Sequence, residues 1–273
     1  MCIPVIFLSD TLTMPQSVRM LTSTVEIQEA SRFFKHVWGG DEDVVPADIA
    51  IASGHAGGYL SGAFTDDGTL VAACYGFLGS SAGMRTLHSH VTASIAPGAG
   101  FLLKQHQREW ALARDLDAIT WTFDPLVRRN SVFNLEKLGA QAVDYLVNFY
   151  GKMQDEINFG DESDRVFAMW RLSQVPQTFS QSALIMAAIT VDESAQPVID
   201  SSYLNAVENR VAISITLPED IELMRKTNLD LAKRWRLAVR EVLKTCFEAG
   251  AVVRSMTDNR ASLLVEWPIL GVK

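Results

Sequence analysis

The chain has 273 residues, of which 48% are hydrophobic and 21% charged. This balance belongs to a folded globular protein and excludes disorder, a collagen-like fibre and a disulfide scaffold. The formal net charge is -8, so the broad positive field that captures phosphate backbones is missing, and neither nucleic acid nor an anionic membrane is expected as a partner.

The N-terminal stretch Met1–Leu8 is apolar but has no positive region and no small-residue cleavage site, so it does not read as a signal peptide. No apolar run reaches the ~18 residues of a membrane span. The first clear element is a helix. Ser23 and Glu26 have capping-box spacing, and Ile27, Ala30, Phe34, Val37 and Trp38 fall on one face. Gly39-Gly40 ends it before an acidic loop at Asp41-Glu42-Asp43, and a short second helix is expected around Pro46–Ala52. A hairpin follows, with strands Tyr59–Phe64 and Leu70–Leu78 around Asp66-Asp67-Gly68. Cys74 lies in the apolar run of its second strand. With Cys2 and Cys246 it makes an odd, scattered set without CxxC, the pattern of reduced thiols in a cytoplasmic protein.

Leu87–Ile95 is a strand with His88, His90 and Thr92 on one face. Pro97-Gly98-Ala99-Gly100 leads into a helix from Phe101 to about Arg114, anchored by Leu103, Trp110 and Ala111. Ala118–Phe123 is a strand, and Asp124-Pro125 stops it because proline lacks the ladder donor. Pro125 suits the start of a helix whose Val127, Ser131, Leu135 and Leu138 share a face. Strands Gln141–Tyr150 and Arg165–Leu172 flank an acidic loop. Ser180–Thr190 reads equally as helix or buried strand. Val211–Leu217 is a strand, Pro218 opens a long helix with Leu231, Trp235, Ala238, Val242 and Ala249 as its core stripe, and Ala251–Met256 and Ala261–Trp267 form a terminal hairpin. The order strand, Pro, helix, Gly-Ala, strand, strand ending near Trp occurs twice, from Ile119 to Trp170 and from Val211 to Trp267. This is either a degenerate half-repeat or a common arrangement used twice.

The feature richest in chemistry is strand, Gly-x-Gly, helix, strand, helix from Leu87 to Gly139. A glycine turn before a helix points backbone N–H groups at an anion, which suits a pyrophosphate or serves only as a turn. A Rossmann fingerprint fails because its third glycine position is Leu103, and no Walker loop is present. His88 and His90 form a pair, but no third residue has metal-ligand spacing, so no metal site is expected.

Leu87-His88-Ser89-His90-Val91, Leu103-Lys104 with Gln107-Arg108-Glu109-Trp110-Ala111, Ile119–Leu126 and Arg129–Leu135, together with Leu138-Gly139-Ala140, resemble an uncharacterised bacterial branch of the GNAT acyltransferase superfamily. So do Asn148-Phe149-Tyr150-Gly151, Ser163-Asp164-Arg165, Leu231-Ala232, Trp235-Arg236 and Arg240. The resemblance spans nearly the whole chain. It implies an α+β fold with a mixed, V-shaped sheet over residues 17–174 and a C-terminal α/β extension over 175–273. It further implies that acetyl-CoA or another acyl-CoA binds where the family's fourth and fifth strands part. Thr92, Ser94, Ile95, Gly98, Ala99 and Gly100 would then hold pantetheine and pyrophosphate, and Asn130 would touch the cofactor. Two departures stand out. The usual glycine loop is shortened and lacks its Gln or Arg, and Leu135 occupies the position of the tyrosine that protonates the leaving thiolate.

Transfer to an amine needs a proton acceptor, and histidine starts nearest neutrality. His90 is the candidate base and Asp124 its orienter or a site for a cationic group. The alternatives are histidines bonded within the sheet and an Asp124 helix cap. Asp155, Glu156, Asp161, Glu162 and Asp164 form either an acidic rim or a solvated loop. The expected activity is acyl transfer to a small-molecule amine. A weakened ligand- or partner-binding module is the alternative, and a dimer joined through the edge of the terminal hairpin is the third reading.

Overall fold

In a computed structural model of the chain, residues 2–5, 15, 17–39, 43–151, 160–172, 179 and 184–269 are described. The fold is α+β, with mixed β-sheet flanked by helices. Contacts divide it into two compact units, Met1–Thr122 with Arg171–Ser173, and Phe123–Trp170 with Gln174–Lys273. Residues 123–151 and 160–170 fall in the same unit as the described C-terminal residues. Gly40, Asp41, Glu42, Asp155, Glu156 and residues 180–183 of the ambiguous segment lie outside the described residues.

The first unit contains β1 (Cys2–Val5), β2 (Ser17–Met20), α1 (Thr24–Trp38), α2 (Ala47–His55), β3 (Tyr59–Phe64), β4 (Leu70–Ser81), β5 (Met84–Ser94), α3 (Ala99–Leu112) and β6 (Ala118–Phe123). Its strand order is β6-β5-β4-β3-β2, and β1 also pairs with β5. Strands β2 to β5 are antiparallel neighbours, whereas β6 and β1 run parallel to β5. The capping box of α1 forms as its spacing predicts. Hydrogen bonds from Ser23, aided by Arg19, pull the Glu26 carboxyl down to about 2. Ile27, Ala30, Phe34, Val37 and Trp38 are all buried, which orients α1 on the sheet. Every residue of β3 and the first seven of β4 are buried, which explains why both read as continuous apolar runs. Gly98 opens α3 at φ 75, a left-handed conformation that glycine adopts without a Cβ penalty.

The second unit holds α4 (Arg128–Ser131), β7 (Gln141–Leu146), β8 (Arg165–Arg171), β9 (Ile185–Val191), β10 (Pro197–Ile199), α5 (Tyr203–Glu208), β11 (Ala212–Thr216), α6 (Ile221–Thr227), α7 (Leu229–Glu248), β12 (Val252–Met256) and β13 (Ser262–Glu266). Its strand order is β10-β9-β11-β13-β12-β7-β8. The ambiguous segment resolves, in its described part, as the strand β9. The helix expected after Pro125 is α4 continued by a π-helical turn over Val132–Lys137, and Val127, Ser131, Leu135 and Leu138 are buried as their spacing predicts.

The long helix after Pro218 is two helices. Asn228 leaves the helical region at φ -152 and ψ 77, and its side chain accepts the Leu231 amide to start α7, a preferred use of asparagine at a helix N-terminus. Leu231, Trp235, Ala238 and Val242 are buried in the stripe of α7, but Ala249 is exposed beyond its end. The terminal hairpin does not offer a free edge for dimerisation, since β13 pairs with β11 and β12 meets β7 at Val253 and Ala142.

Candidate functional site

The centre of interest in the first unit is where β5 and β6 part. They pair at Thr86 with Ala118, Leu87 with Ile119 and His88 with Thr120, and the parallel ladder stops there. Beyond it β5 runs on to Ser94, hydrogen-bonded to β4 on its other side. The edge so released is partly taken by β1, whose Cys2 lies opposite Thr92 and Val5 opposite Ser94. Three steps along β1 match two along β5, so this pairing carries an irregularity rather than a clean ladder.

A β-bulge sits just past the fork. Tyr75 pairs with Val91 and Gly76 with Ser89, leaving His90 as the extra residue of β5. The bulge brings main chain against Gly76, where a Cβ would stand 2.8 Å from the His88 carbonyl oxygen. Bulges re-aim side chains and interrupt pairing. This one puts His90 among the rings of Tyr75, Phe77 and His88, at centroid distances of 6.2, 5.9 and 6.4 Å. His88 Nδ1 lies 3.1 Å from the Thr120 hydroxyl across the last rung. Burial pulls the His88 imidazole down to about 4, with the Lys104 ammonium adding to the effect. Burial likewise pulls His90 to about 3, with His88 contributing. Both rings are therefore neutral at neutral pH.

On the opposite face, which Thr92 joins instead of sharing the face of His88 and His90 because the bulge at His90 shifts the alternation, α3 covers a buried polar cluster. Lys104, Gln107, Ser89, Thr92 and Cys74 are all almost wholly inaccessible to solvent. Lys104 Nζ donates to Ser89 Oγ at 2.7 Å and to Gln107 Oε1 at 3.1 Å, and it stands 4.2 Å from the centroid of a Trp121 ring. Gln107 Nε2 donates to Cys74 Sγ at 3.2 Å, and Thr92 Oγ1 lies 3.1 Å from the same sulfur. Nearby, the Tyr59 hydroxyl lies 2.7 Å from His106 Nδ1 and accepts from Ser61. Sequence reasoning passed over this cluster. Its signal was Gln107, a polar residue amid the stripe of Leu103, Trp110 and Ala111.

The expected cofactor residues Thr92, Ser94, Ile95, Gly98, Ala99 and Gly100 stay together in this unit. The Thr92 hydroxyl faces Cys74, the Ser94 hydroxyl donates to the Ala96 carbonyl, and the Ile95 amide donates to Val71. The Thr92 and Ser94 hydroxyls and the Ile95 amide are thus engaged internally. At the start of α3, Ala99 donates to Ala96, and Phe101 and Leu102 donate to Gly98. The Gly98 and Gly100 amides find no backbone acceptor among the described residues.

Asp124 and Asn130 belong to the second unit. Asp124 accepts from Arg225 at 2.5 Å, from Arg236 at 3.1 and 3.0 Å, and from the Leu126 amide at 2.9 Å. Burial pushes its carboxyl up, but the two guanidinium groups outweigh this and hold it below the usual carboxylate range. Asp161 bridges the same two arginines. Asp164 binds Arg240 and accepts the Tyr145 hydroxyl at 2.7 Å. Asp161 and Asp164 are therefore buried ion partners rather than a solvated rim, while Glu162 reaches Arg240 from the surface. Asn130 lies in α4, half-buried, with its amide donating to Val127.

No family model matches the chain, and no curated protein matches it. Among solved structures it is similar to a GNAT-superfamily phosphinothricin acetyltransferase from Sinorhizobium meliloti in complex with acetyl-CoA, at 13% identity over 63% of this chain and 96% of that one, with a TM-score of 0.47. It is also similar to an aminoglycoside 6'-acetyltransferase type Ii, at 14% identity over 59% and 100% of the two chains and a TM-score of 0.46. A third likeness is to the ribosomal-protein-S18-alanine N-acetyltransferase of Escherichia coli, at 11% identity over 60% and 98%, also with a TM-score of 0.46. Among the described residues no helix is long and apolar enough to cross a membrane.

Proposed function

We propose that this chain transfers an acyl group from an acyl-CoA to a small-molecule amine. The observation that supports this best is the parting of β5 and β6 after the rung between His88 and Thr120. A strand edge released in this way offers main-chain donors and acceptors to an extended amide-bearing arm, as sheet edges do for peptides. In this reading the pantetheine arm runs along Ser89–Ser94, and the pyrophosphate lies towards the Gly98 and Gly100 amides at the start of α3.

The reaction joins the amine nitrogen to the acyl carbon and breaks the carbon–sulfur bond. The bulged residue His90, with His88 beside it, lines the face from which the amine approaches. His90 remains the proposed proton acceptor, and its low pKa makes it a weak one, so the amine must arrive largely deprotonated. The orienting role proposed for Asp124 competes with its bonds to Arg225 and Arg236; for His88 the partner at hand is Thr120.

Two observations favour the second reading, a module that binds without turnover. Leu135, buried, stands in sequence at the position that the resemblance gives to the thiolate-protonating tyrosine, and β1 lies on the edge the donor needs. Calorimetry with acetyl-CoA followed by a thiol-release assay separates the readings. Binding with amine-dependent CoA release is the expected outcome. Binding without amine-dependent release supports the module, and no binding at millimolar acetyl-CoA rejects acyl transfer.

A further inference from the structure

Lys104 places its amine where the two strands diverge. Ser89 is the first residue of β5 beyond the last rung, and Trp121 is the first of β6. The Lys104 ammonium bonds to one and stacks on the other. It is completely buried, and the partners of its nitrogen are Ser89 Oγ, Gln107 Oε1 and the Trp121 ring, none of them a carboxylate. The other titratable groups on the elements packed around it are Cys74 and Tyr75 on β4, Arg85, His88 and His90 on β5, Tyr59 on β3, and His106, Arg108 and the exposed Glu109 on α3; β6 contributes none. The groups that touch it carry no charge, so an ammonium there has lost its hydration without gaining an anion. Such a charge is suited to an anion that forms or arrives next to it.

We propose that the apex of the fork is an anion site in which Lys104 receives the thiolate leaving acyl-CoA. This rests on the acyl-transfer reading and adds to it a residue and a charge. When the carbon–sulfur bond breaks, its electron pair stays on sulfur as the CoA thiolate, and the proton lost by the amine passes to His90 or solvent. Lys104 keeps its protons and supplies charge alone. Leu135 leaves the leaving group without its customary proton donor, and the ammonium compensates by stabilising the unprotonated sulfur.

The test uses the full chain with CoA as the probe. The thiol of bound CoA is titrated by its thiolate absorbance, taken as the difference from the complex with desulfo-CoA, in the wild type and in Lys104→Met. CoA free in solution, titrated in the same way, is the reference. Bound to the wild type it should titrate at least about one pH unit lower, a tenfold gain in thiolate at a given pH. In Lys104→Met the displacement should vanish while desulfo-CoA affinity stays within about threefold, because a neutral side chain of similar volume replaces a buried charge without a large packing loss. Lys104→Gln serves as a second variant should the methionine chain fail to fold. Equal thiol titration in wild type and variant overturns the role of Lys104 and leaves acyl transfer standing. Failure of the wild type to bind either CoA or desulfo-CoA overturns both.

Discussion

The Cβ missing from Gly76 is what admits the bulge at His90, since that atom would stand 2.8 Å from a backbone oxygen. Gly76→Ala should therefore cost roughly 1–3 kcal/mol of stability and displace His90, as backbone conflicts in a core generally do. Gly79→Ala is the control, because its Cβ would meet only the Thr86 hydroxyl at 3.5 Å. Urea unfolding of the two variants checks this, and equal stabilities would refute it. The histidines make a second residue-scale prediction. Their pKa values fall from 6.5 to about 4 and about 3 on folding, so between these limits the unfolded chain binds more protons than the folded one. Stability contributed by the neutral rings is complete above pH 6.5 and is lost as pH falls through the folded values. Replacing His88 by Gln should flatten the stability profile over that interval by roughly 2 kcal/mol, after discounting for partial exposure. The same depression implies that the pH dependence of kcat/KM should follow deprotonation of the amine substrate, with no inflection at the ordinary histidine pKa.

Between elements, the strongest polar ties of the second unit join Asp124 and Asp161 to Arg225 of α6 and Arg236 of α7. Removing one partner strands the others in the core. Asp124→Ala should cost about 3–5 kcal/mol, whereas Arg129→Ala, which breaks a largely exposed pair with Glu222, should cost no more than about 1 kcal/mol. Thermal unfolding of both variants reads the difference, and a tolerated Asp124→Ala would contradict the assigned contacts. In the first unit, β1 and an acyl donor lay claim to the same edge of β5. Removing residues 1–8 should tighten CoA binding about tenfold, as relief of a competing conformation does. An unchanged affinity would place the donor elsewhere.

At the scale of the molecule, legibility followed periodicity and chain-local signals. The capping box of α1, the strand Ala118–Phe123 and the buried stripe from Val127 to Leu138 were plain in the sequence, because each is fixed by neighbours within a turn or two. The break at Asn228 was hidden, since its helical surroundings mask a single residue that leaves the helix to cap the next one. The site was half legible. The strand, glycine turn and helix order located the fork, and His88 and His90 marked its face. The partners of Asp124 lie about a hundred residues away in sequence, which no spacing argument reaches. The burial of Lys104 was not legible, because charge alone does not reveal burial.

The pairing of β1 with β5 has a kinetic consequence. A donor that can seat only after this segment peels away cannot associate faster than the peeling itself. In stopped-flow mixing, the observed rate should climb with CoA concentration and then level off at the opening rate, a hyperbola rather than a straight line. The chain shortened by eight residues should restore the straight line, making its own leader the timekeeper of entry.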